Sequence, residues 1–177
     1  MNAASLVIST SLNPDSKSRV MARQAYKYWK ETGSIELIDL RDYHLPVCDG
    51  DACYSHPDVI ALTEKIRQAP AILLAVPIYN YSSAASAKNL IELTGSAWEE
   101  KIVGFLCAAG GKSSYMSILG LANSLMLDFR CLINPRFVYT DGSAFEGEEI
   151  IDEEVQQRIK ELTISTTKLI GRVASKV

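Results

Sequence analysis

Five short apolar runs, each followed by a stretch with helical spacing, constrain this chain more than any other feature. The runs cover residues 5–9, 35–40, 71–75, 102–107 and 131–139. Their length and β-branched content read as buried strands rather than helices. Between them, apolar residues recur at helical intervals: Met21, Ala25, Tyr28 and Trp29; then Val59, Leu62 and Ile66 within 58–68; then Ala84, Ala87, Leu90, Ile91 and Leu93 within 83–97; then Met116, Leu119, Leu121, Ala122, Leu125 and Met126. A last helix opens on Asp152, Glu153 and Glu154 and carries Lys168, Arg172 and Lys176 toward its end, charges that suit the helix dipole. A repeated strand–helix pattern implies a parallel sheet covered on both faces, a three-layer α/β domain. At 177 residues, 1–177 reads as a single domain.

Composition narrows the partners. With 47% hydrophobic and 22% charged residues the chain can bury a sizeable core. No run approaches the roughly 18 apolar residues of a membrane span, so no membrane partner is expected. No basic stretch leads into an apolar segment and a small-residue cleavage site, which sets the expectation of a cytoplasmic protein. A net charge of −3 gives no electrostatic footprint for nucleic acid.

Five parallel strands most commonly adopt the order 2-1-3-4-5, which places the carboxyl ends of strands 1, 3 and 4 side by side. Each of these three strands runs into a loop with chemical content. After Ser9 comes Thr10-Ser11-Leu12-Asn13-Pro14-Asp15-Ser16-Lys17-Ser18, with five hydroxyls among residues 9–18. Hydroxyls beside the free N–H groups of a helix N-terminus make a site for a phosphate monoester. Lys17 and Arg19 could add positive charge. Simple capping by Asp15 or Ser16 would need only one such residue. The loop is neither a Walker A loop nor a Gly-x-Gly-x-x-Gly dinucleotide loop, since it holds no glycine. The second loop, Val76-Pro77-Ile78-Tyr79-Asn80-Tyr81-Ser82, reads as a strand-to-helix turn, either plain punctuation by Pro and Asn or a place for a flat cofactor. The third, Ala108-Ala109-Gly110-Gly111-Lys112-Ser113-Ser114, is a Gly/Ser loop opening a helix whose Met and Leu content reads as core packing. The fifth run is interrupted by Pro135 and belongs in an irregular or edge position.

Four cysteines in a chain of this length do not amount to a disulfide framework. Cys107 and Cys131 lie in apolar runs and read as buried core residues. Cys48 and Cys53 share one loop with His44 and His56. Both histidines flank the cysteine pair and the spacing is loose, so a surface loop with reduced thiols is favoured over a metal site, and none is assigned.

Over residues 6–139 the sequence resembles the NAD(P)H-dependent FMN reductase family of flavodoxin-like proteins. The family's signature Pro-Glu-Tyr-Asn, a small-residue stretch and Lys-Asn is matched by Pro77-Ile78-Tyr79-Asn80 with Lys88-Asn89, and Leu45-Pro46-Val47-Cys48-Asp49-Gly50-Asp51 resembles a recurrent family loop. The resemblance implies a three-layer flavodoxin-like fold, five parallel strands in the order 2-1-3-4-5, and three FMN-contacting loops. Ser11, Asn13, Ser16, Lys17 and Ser18 match the phosphate loop. Pro77, Ile78, Tyr79 and Asn80 match the turn beside the ribityl chain and ring. Gly110, Gly111, Lys112 and Ser113 match the loop at the ring's other border. Two departures stand out: Thr10-Ser11-Leu12-Asn13 replaces Gly-Ser-x-Arg, and Ile78 replaces Glu.

The implied activity is hydride transfer from NAD(P)H to bound FMN, then electron transfer to a small acceptor: free flavin, a quinone, an azo compound or a metal oxyanion. The cofactor carries the chemistry, so no catalytic side chain is assigned. A homodimer or homotetramer is implied as well. Two other readings stay open: a flavodoxin-type electron carrier without efficient nicotinamide turnover, and a flavin-free regulatory protein of the same fold.

Overall fold

The computed structural model of the protein describes residues 3–175, so Lys176 lies outside the described residues. In chain order the elements are β1 (Ser5–Ser9), α1 (Lys17–Trp29), β2 (Ile35–Asp39), α2 (Pro57–Gln68), β3 (Ala71–Tyr79), β4 (Ser82–Ser83), α3 (Ala85–Thr94), β5 (Ile102–Ala109), α4 (Leu119–Phe129), β6 (Leu132–Ile133), β7 (Val138–Asp141), β8 (Phe145–Glu146), β9 (Glu149–Ile150) and α5 (Glu153–Ala174).

The main sheet runs β2-β1-β3-β5-β6, all parallel, with β7 also pairing β5. This is the expected order 2-1-3-4-5, with the fifth position filled twice. Leu132 and Ile133 pair Ile102 and Val103, then the chain leaves the sheet around Pro135, and Val138 to Asp141 pair Leu106 to Ala109. Pro135 lacks an N–H and forces the break. Asn134, 1% exposed, bridges the gap: its backbone N–H donates to the Val103 carbonyl and its Nδ2 donates to the hydroxyls of Ser165 and Thr166 on α5.

Alternation along the strands divides the core in two, as the period-2 geometry of a strand requires. Leu6, Ile8, Ile72, Leu74, Phe105 and Cys107 pack against α2, α3 and α4. Val7, Leu73, Ala75, Ile102 and Leu106 pack against α1 and α5. Trp29 and Trp98 are fully enclosed, one on each side, and each indole N–H finds a threonine hydroxyl, Thr167 at 2.9 Å and Thr94 at 2.7 Å. A buried indole donor left unpaired would cost about 1–3 kcal/mol.

β3 is longer than the apolar run suggests. It continues through Tyr79 and folds back as a two-residue hairpin into β4, with Tyr79 opposite Ser82. The stretch around Pro77 is therefore a strand and hairpin, not a direct strand-to-helix turn. Asn80 and Tyr81 both take positive φ, 50° and 59°, the requirement of a type I′ turn. Pro77 is tolerated because β1 stops pairing at Ala75. On that vacated edge the Pro77 carbonyl accepts the Ala84 N–H, and a proline there forfeits no ladder bond.

The helix after the third loop also differs from expectation. It opens as a 3-10 segment, Lys112–Ile118, before α4. Its apolar residues are not all core: Met116 is 60% exposed, and Leu119, Met126 and Leu127 are exposed too, whereas Leu121, Ala122 and Leu125 are buried. A short sequence of uniformly apolar residues conceals which face is which; only the turn-by-turn geometry of α4 sorts them.

Candidate active site

The carboxyl ends of β1, β3 and β5 are neighbours, and their loops enclose one cavity of about 660 Å³. Its wall is Asn13, Asp15, Ser16, Lys17 and Ser18 from the first loop, Pro77, Ile78, Tyr79 and Asn80 from the second, and Ala108, Ala109 and Gly110 from the third. The volume is that of an ordinary small-ligand site, at the position where open α/β sheets bind ligands.

The first loop is built as an anion cradle. Ser16 caps α1, its Oγ accepting the Arg19 N–H at 3.3 Å, and lies 2.9 Å from the Ser18 Oγ; both serines are buried. The N–H groups of Lys17 and Ser18 have no partner within a helix that begins at Lys17. Asn13 Oδ1 accepts the Asp15 N–H at 3.0 Å, an Asx turn that shapes the approach to the helix. Arg19 is 6% exposed. It donates to the Pro14 carbonyl and faces Glu148 at 3.7 Å, while its Nε is buried without a partner. Two buried hydroxyls beside the free N–H groups of a helix N-terminus fit a phosphate.

Not every residue from the first loop faces the cavity. Ser11, 1% exposed, is absent from the wall and accepts the Asn13 N–H at 3.3 Å. Lys17 borders the cavity, but its ammonium donates to the Gly147 carbonyl at 2.8 Å and lies 5.4 Å from the Phe145 ring centre. Arg19 does not border the cavity. Ile78 also divides its roles: it borders the cavity, but its side chain is 4% exposed and joins the core beside Ala87 and Ile118. Tyr79 is half exposed.

Of the third-loop residues, Gly110 lines the cavity and Gly111, Lys112 and Ser113 stand outside its wall. They tie the loops together. The Tyr139 hydroxyl donates to the Gly111 carbonyl and accepts from Ser114 Oγ at 2.7 Å. The Ser113 and Tyr81 hydroxyls are 3.0 Å apart, linking the third loop to the hairpin. Lys112 contributes, after two hydrogen bonds from Ser143, to holding the Asp141 carboxyl below its usual range.

Three residues that fix this geometry carry no motif. Thr10 donates twice to the Ala75 carbonyl, from its N–H at 3.0 Å and its hydroxyl at 2.8 Å. Ser86, on α3, donates to the Thr10 carbonyl at 2.6 Å. Tyr139 acts from β7. Each works through a partner distant in sequence, so no local pattern marks it.

The His/Cys loop takes no part in the cavity. His56 caps α2, its Nδ1 accepting the Asp58 N–H, and His44 Nδ1 is 3.9 Å from the Asp58 carboxylate. Among the described residues, no group of three or more His, Cys, Asp or Glu side chains has the geometry of a metal site. A second, mostly apolar cleft of about 440 Å³ lies between this loop and α3, walled by Leu45, Val47, Ala85 and Asn89 among others.

Comparison with known proteins agrees with the topology. The family profile described as NADPH-dependent FMN reductase matches residues 4–143. The NAD(P)H-dependent FAD/FMN reductase of Geobacillus thermodenitrificans is 30% identical over 131 residues, 72% of this chain and 71% of its own. The NADPH:quinone oxidoreductase of Arabidopsis thaliana is 27% identical over 181 residues, covering 96% and 92%. Among solved structures, the NAD(P)H:(acceptor) oxidoreductase FerB of Paracoccus denitrificans superposes with a TM-score of 0.78 at 20% identity over 96% of this chain and 98% of its own. An archaeal flavodoxin gives 0.67 at 12% identity over 95% and 99%. These two likenesses establish the flavodoxin-like fold, and the profile and sequence relatives establish the rest: the chain belongs to the NADPH-dependent FMN reductase family.

Proposed function

We propose that the cavity at the ends of β1, β3 and β5 holds FMN, and that the protein is an NAD(P)H-dependent FMN oxidoreductase that passes electrons to a small acceptor. The observation that carries this reading is the meeting of the α1 anion cradle with the Pro77–Asn80 and Gly110 backbones around one cavity. Ser16 and Ser18 hydroxyls, with the N–H groups of Lys17 and Ser18, would hold the phosphate, and the dipole of α1 would add to the attraction. Ser11 and Asn13 shape the loop around them. Pro77, Ile78, Tyr79 and Asn80 would border the rest of the cofactor on one side. Gly110 would border it on the other, with Gly111, Lys112 and Ser113 bracing that loop.

When bound, FMN supplies the redox chemistry, taking hydride from the nicotinamide and yielding electrons to the acceptor. The chain's own contribution is position and field. Thr10 and Ser86 clamp the first loop to β3 and α3, so the cradle is organised before the cofactor arrives, which lowers the ordering cost of binding. The hairpin and the third loop, joined through Tyr81 and Ser113, set the width of the opening. The relatives named for quinone and for FAD or FMN support a quinone or a free flavin as acceptor.

We propose further that two copies associate through the exposed apolar face of α4. Leu119 and Met126, seven residues apart, share a helix face, and Met116, Leu127 and Tyr115 extend it. Contiguous exposed apolar side chains of this kind mark association surfaces.

The phosphate assignment is tested by Ser16→Ala with Ser18→Ala. FMN affinity is expected to fall about 10–100-fold, while affinity for riboflavin, which lacks the phosphate, is unchanged. Equal losses for both ligands would place the phosphate elsewhere.

A further inference from the structure

The loop between β2 and α2 brings two thiols together that the flavin reading leaves unused. The sulfurs of Cys48 and Cys53 are 3.9 Å apart, with Cys48 half-buried and Cys53 buried. Their backbones are pinned independently. The Cys48 N–H donates to Asn89 Oδ1 at 2.9 Å, and Asn89 Nδ2 returns a bond to the Pro46 carbonyl. The Asp49 Oδ1 accepts both the Asp51 N–H at 2.9 Å and the Cys53 N–H at 3.1 Å. Gly50, at φ +77°, permits the tight return between the two cysteines. A disulfide needs the sulfurs about 2 Å closer.

The other two thiols are unlike this pair. Cys107 and Cys131 are each buried without a second sulfur beside them. Burial pushes the Cys107 thiol far up and raises Cys131 to about 11.

We propose that Cys48 and Cys53 form a reversible oxidation site, closed to an intramolecular disulfide by a peroxide and reopened by a thiol reductant. In the first step Cys48 gives up its proton and the thiolate attacks one peroxide oxygen, the O–O bond breaks, and the departing hydroxide takes up that proton as water; Cys48 becomes a sulfenic acid. In the second the Cys53 sulfur attacks the Cys48 sulfur, the S–O bond breaks, and the departing hydroxide takes the Cys53 proton as water. Two thiols and one peroxide give one disulfide and two waters, the two electrons passing from the sulfurs to the O–O bond. Cys48 is the attacking sulfur because it is the more accessible. Burial raises the Cys53 thiol above its ordinary value, so Cys53 is not the first sulfur to attack.

This inference stands apart from flavin binding, since neither cysteine borders the cavity at the sheet's carboxyl edge. The test uses the purified full chain, reduced, desalted and treated with hydrogen peroxide. The protein is then unfolded, alkylated and digested with trypsin, which leaves both cysteines on the peptide 42–65. The expected result is a peptide two hydrogens lighter with no alkyl groups, and recovery of two alkyl groups after dithiothreitol. In Cys53→Ser, Cys48 should stop at a sulfenic acid that dimedone traps. In Cys48→Ser, Cys53 should oxidise about tenfold more slowly than Cys48 does in the wild type. Thermal melting of both variants confirms that they fold. Two alkyl groups on the wild-type peptide after excess peroxide would overturn the proposal. So would over-oxidation of Cys48 to the sulfinic acid at equal rates in wild type and Cys53→Ser.

Discussion

Asn80 and Tyr81 both occupy left-handed backbone, and they are not equally suited to it. Asn tolerates positive φ; a bulky aromatic at 59° is a strained choice. Tyr81 gains little from burial, being 69% exposed, and its one polar contact is the Ser113 hydroxyl. Tyr81→Gly is therefore expected to raise unfolding stability by about 0.5–1 kcal/mol in urea titration, because relief of strain outweighs one exposed hydrogen bond. Tyr81→Phe, which removes only the hydroxyl, should change stability by less than about 0.5 kcal/mol. Destabilisation by Tyr81→Gly would mean that the ring itself contributes more than its exposure implies. Thr10 presents the opposite case, a fully buried hydroxyl with a committed partner. Thr10→Val keeps the volume and removes the donor, and should cost about 1 kcal/mol while loosening the first loop. Ser16 and Ser18 were recognisable because hydroxyls at a helix start have a local meaning. Thr10 and Tyr139 were not, since their partners Ala75 and Gly111 lie 65 and 28 residues away.

At the level of elements, the contact between β5 and α5 depends on one missing side chain. A Cβ built on Gly104 would come within 2.7 Å of Leu73 Cδ2 and 3.0 Å of Leu162 Cδ1. Both leucines are fully enclosed, so neither can yield freely. Gly104→Ala should destabilise the protein by about 1–3 kcal/mol through overpacking, measured by thermal or urea unfolding. A neutral result would show that α5 can slide on the sheet. The loop before α2 makes a pH prediction. Asp49, with bonds from Cys53 and Asp51, has its carboxyl lowered to about 2. The folded value lies below the unfolded one near 3.9, so its contribution is present above about pH 4 and is lost as pH falls toward 2. Asp49→Asn should flatten that part of the acid limb of the stability curve. An unchanged limb would show that the carboxylate is as well solvated unfolded as folded. Strand positions followed from the apolar runs and their order from the common solution for five parallel strands, but two boundaries did not. The extension of β3 through Tyr79 is secured by pairing of Ile78 with Ala109 and Ser83 and of Tyr79 with Ser82, which no local pattern announces. The 3-10 opening of α4 begins with Lys112-Ser113-Ser114, whose composition suits several turn geometries.

For the whole molecule, the sheet order brings three loops to one edge and leaves one helix face uncovered. The first consequence was readable in advance, because a doubly wound sheet has few solutions. The second was not: Met116, Leu119 and Met126 are as apolar as core residues, and only their place on α4 and the 3-10 turn before it shows them facing outward. If that face joins two copies, Leu119→Glu with Met126→Glu should halve the mass seen by sedimentation equilibrium while leaving the fold intact; an unchanged mass would move the interface elsewhere or remove it. Flavin held in the cavity reports on itself by its colour. The purified protein is loaded with FMN, freed of excess, made anaerobic and mixed with NADPH or NADH while the blue absorbance of the flavin is followed. Retained flavin that bleaches on adding either nucleotide, and recovers its colour on adding a quinone, is the predicted result. A protein that retains no FMN, or retains it and does not bleach with either nucleotide, would contradict the account.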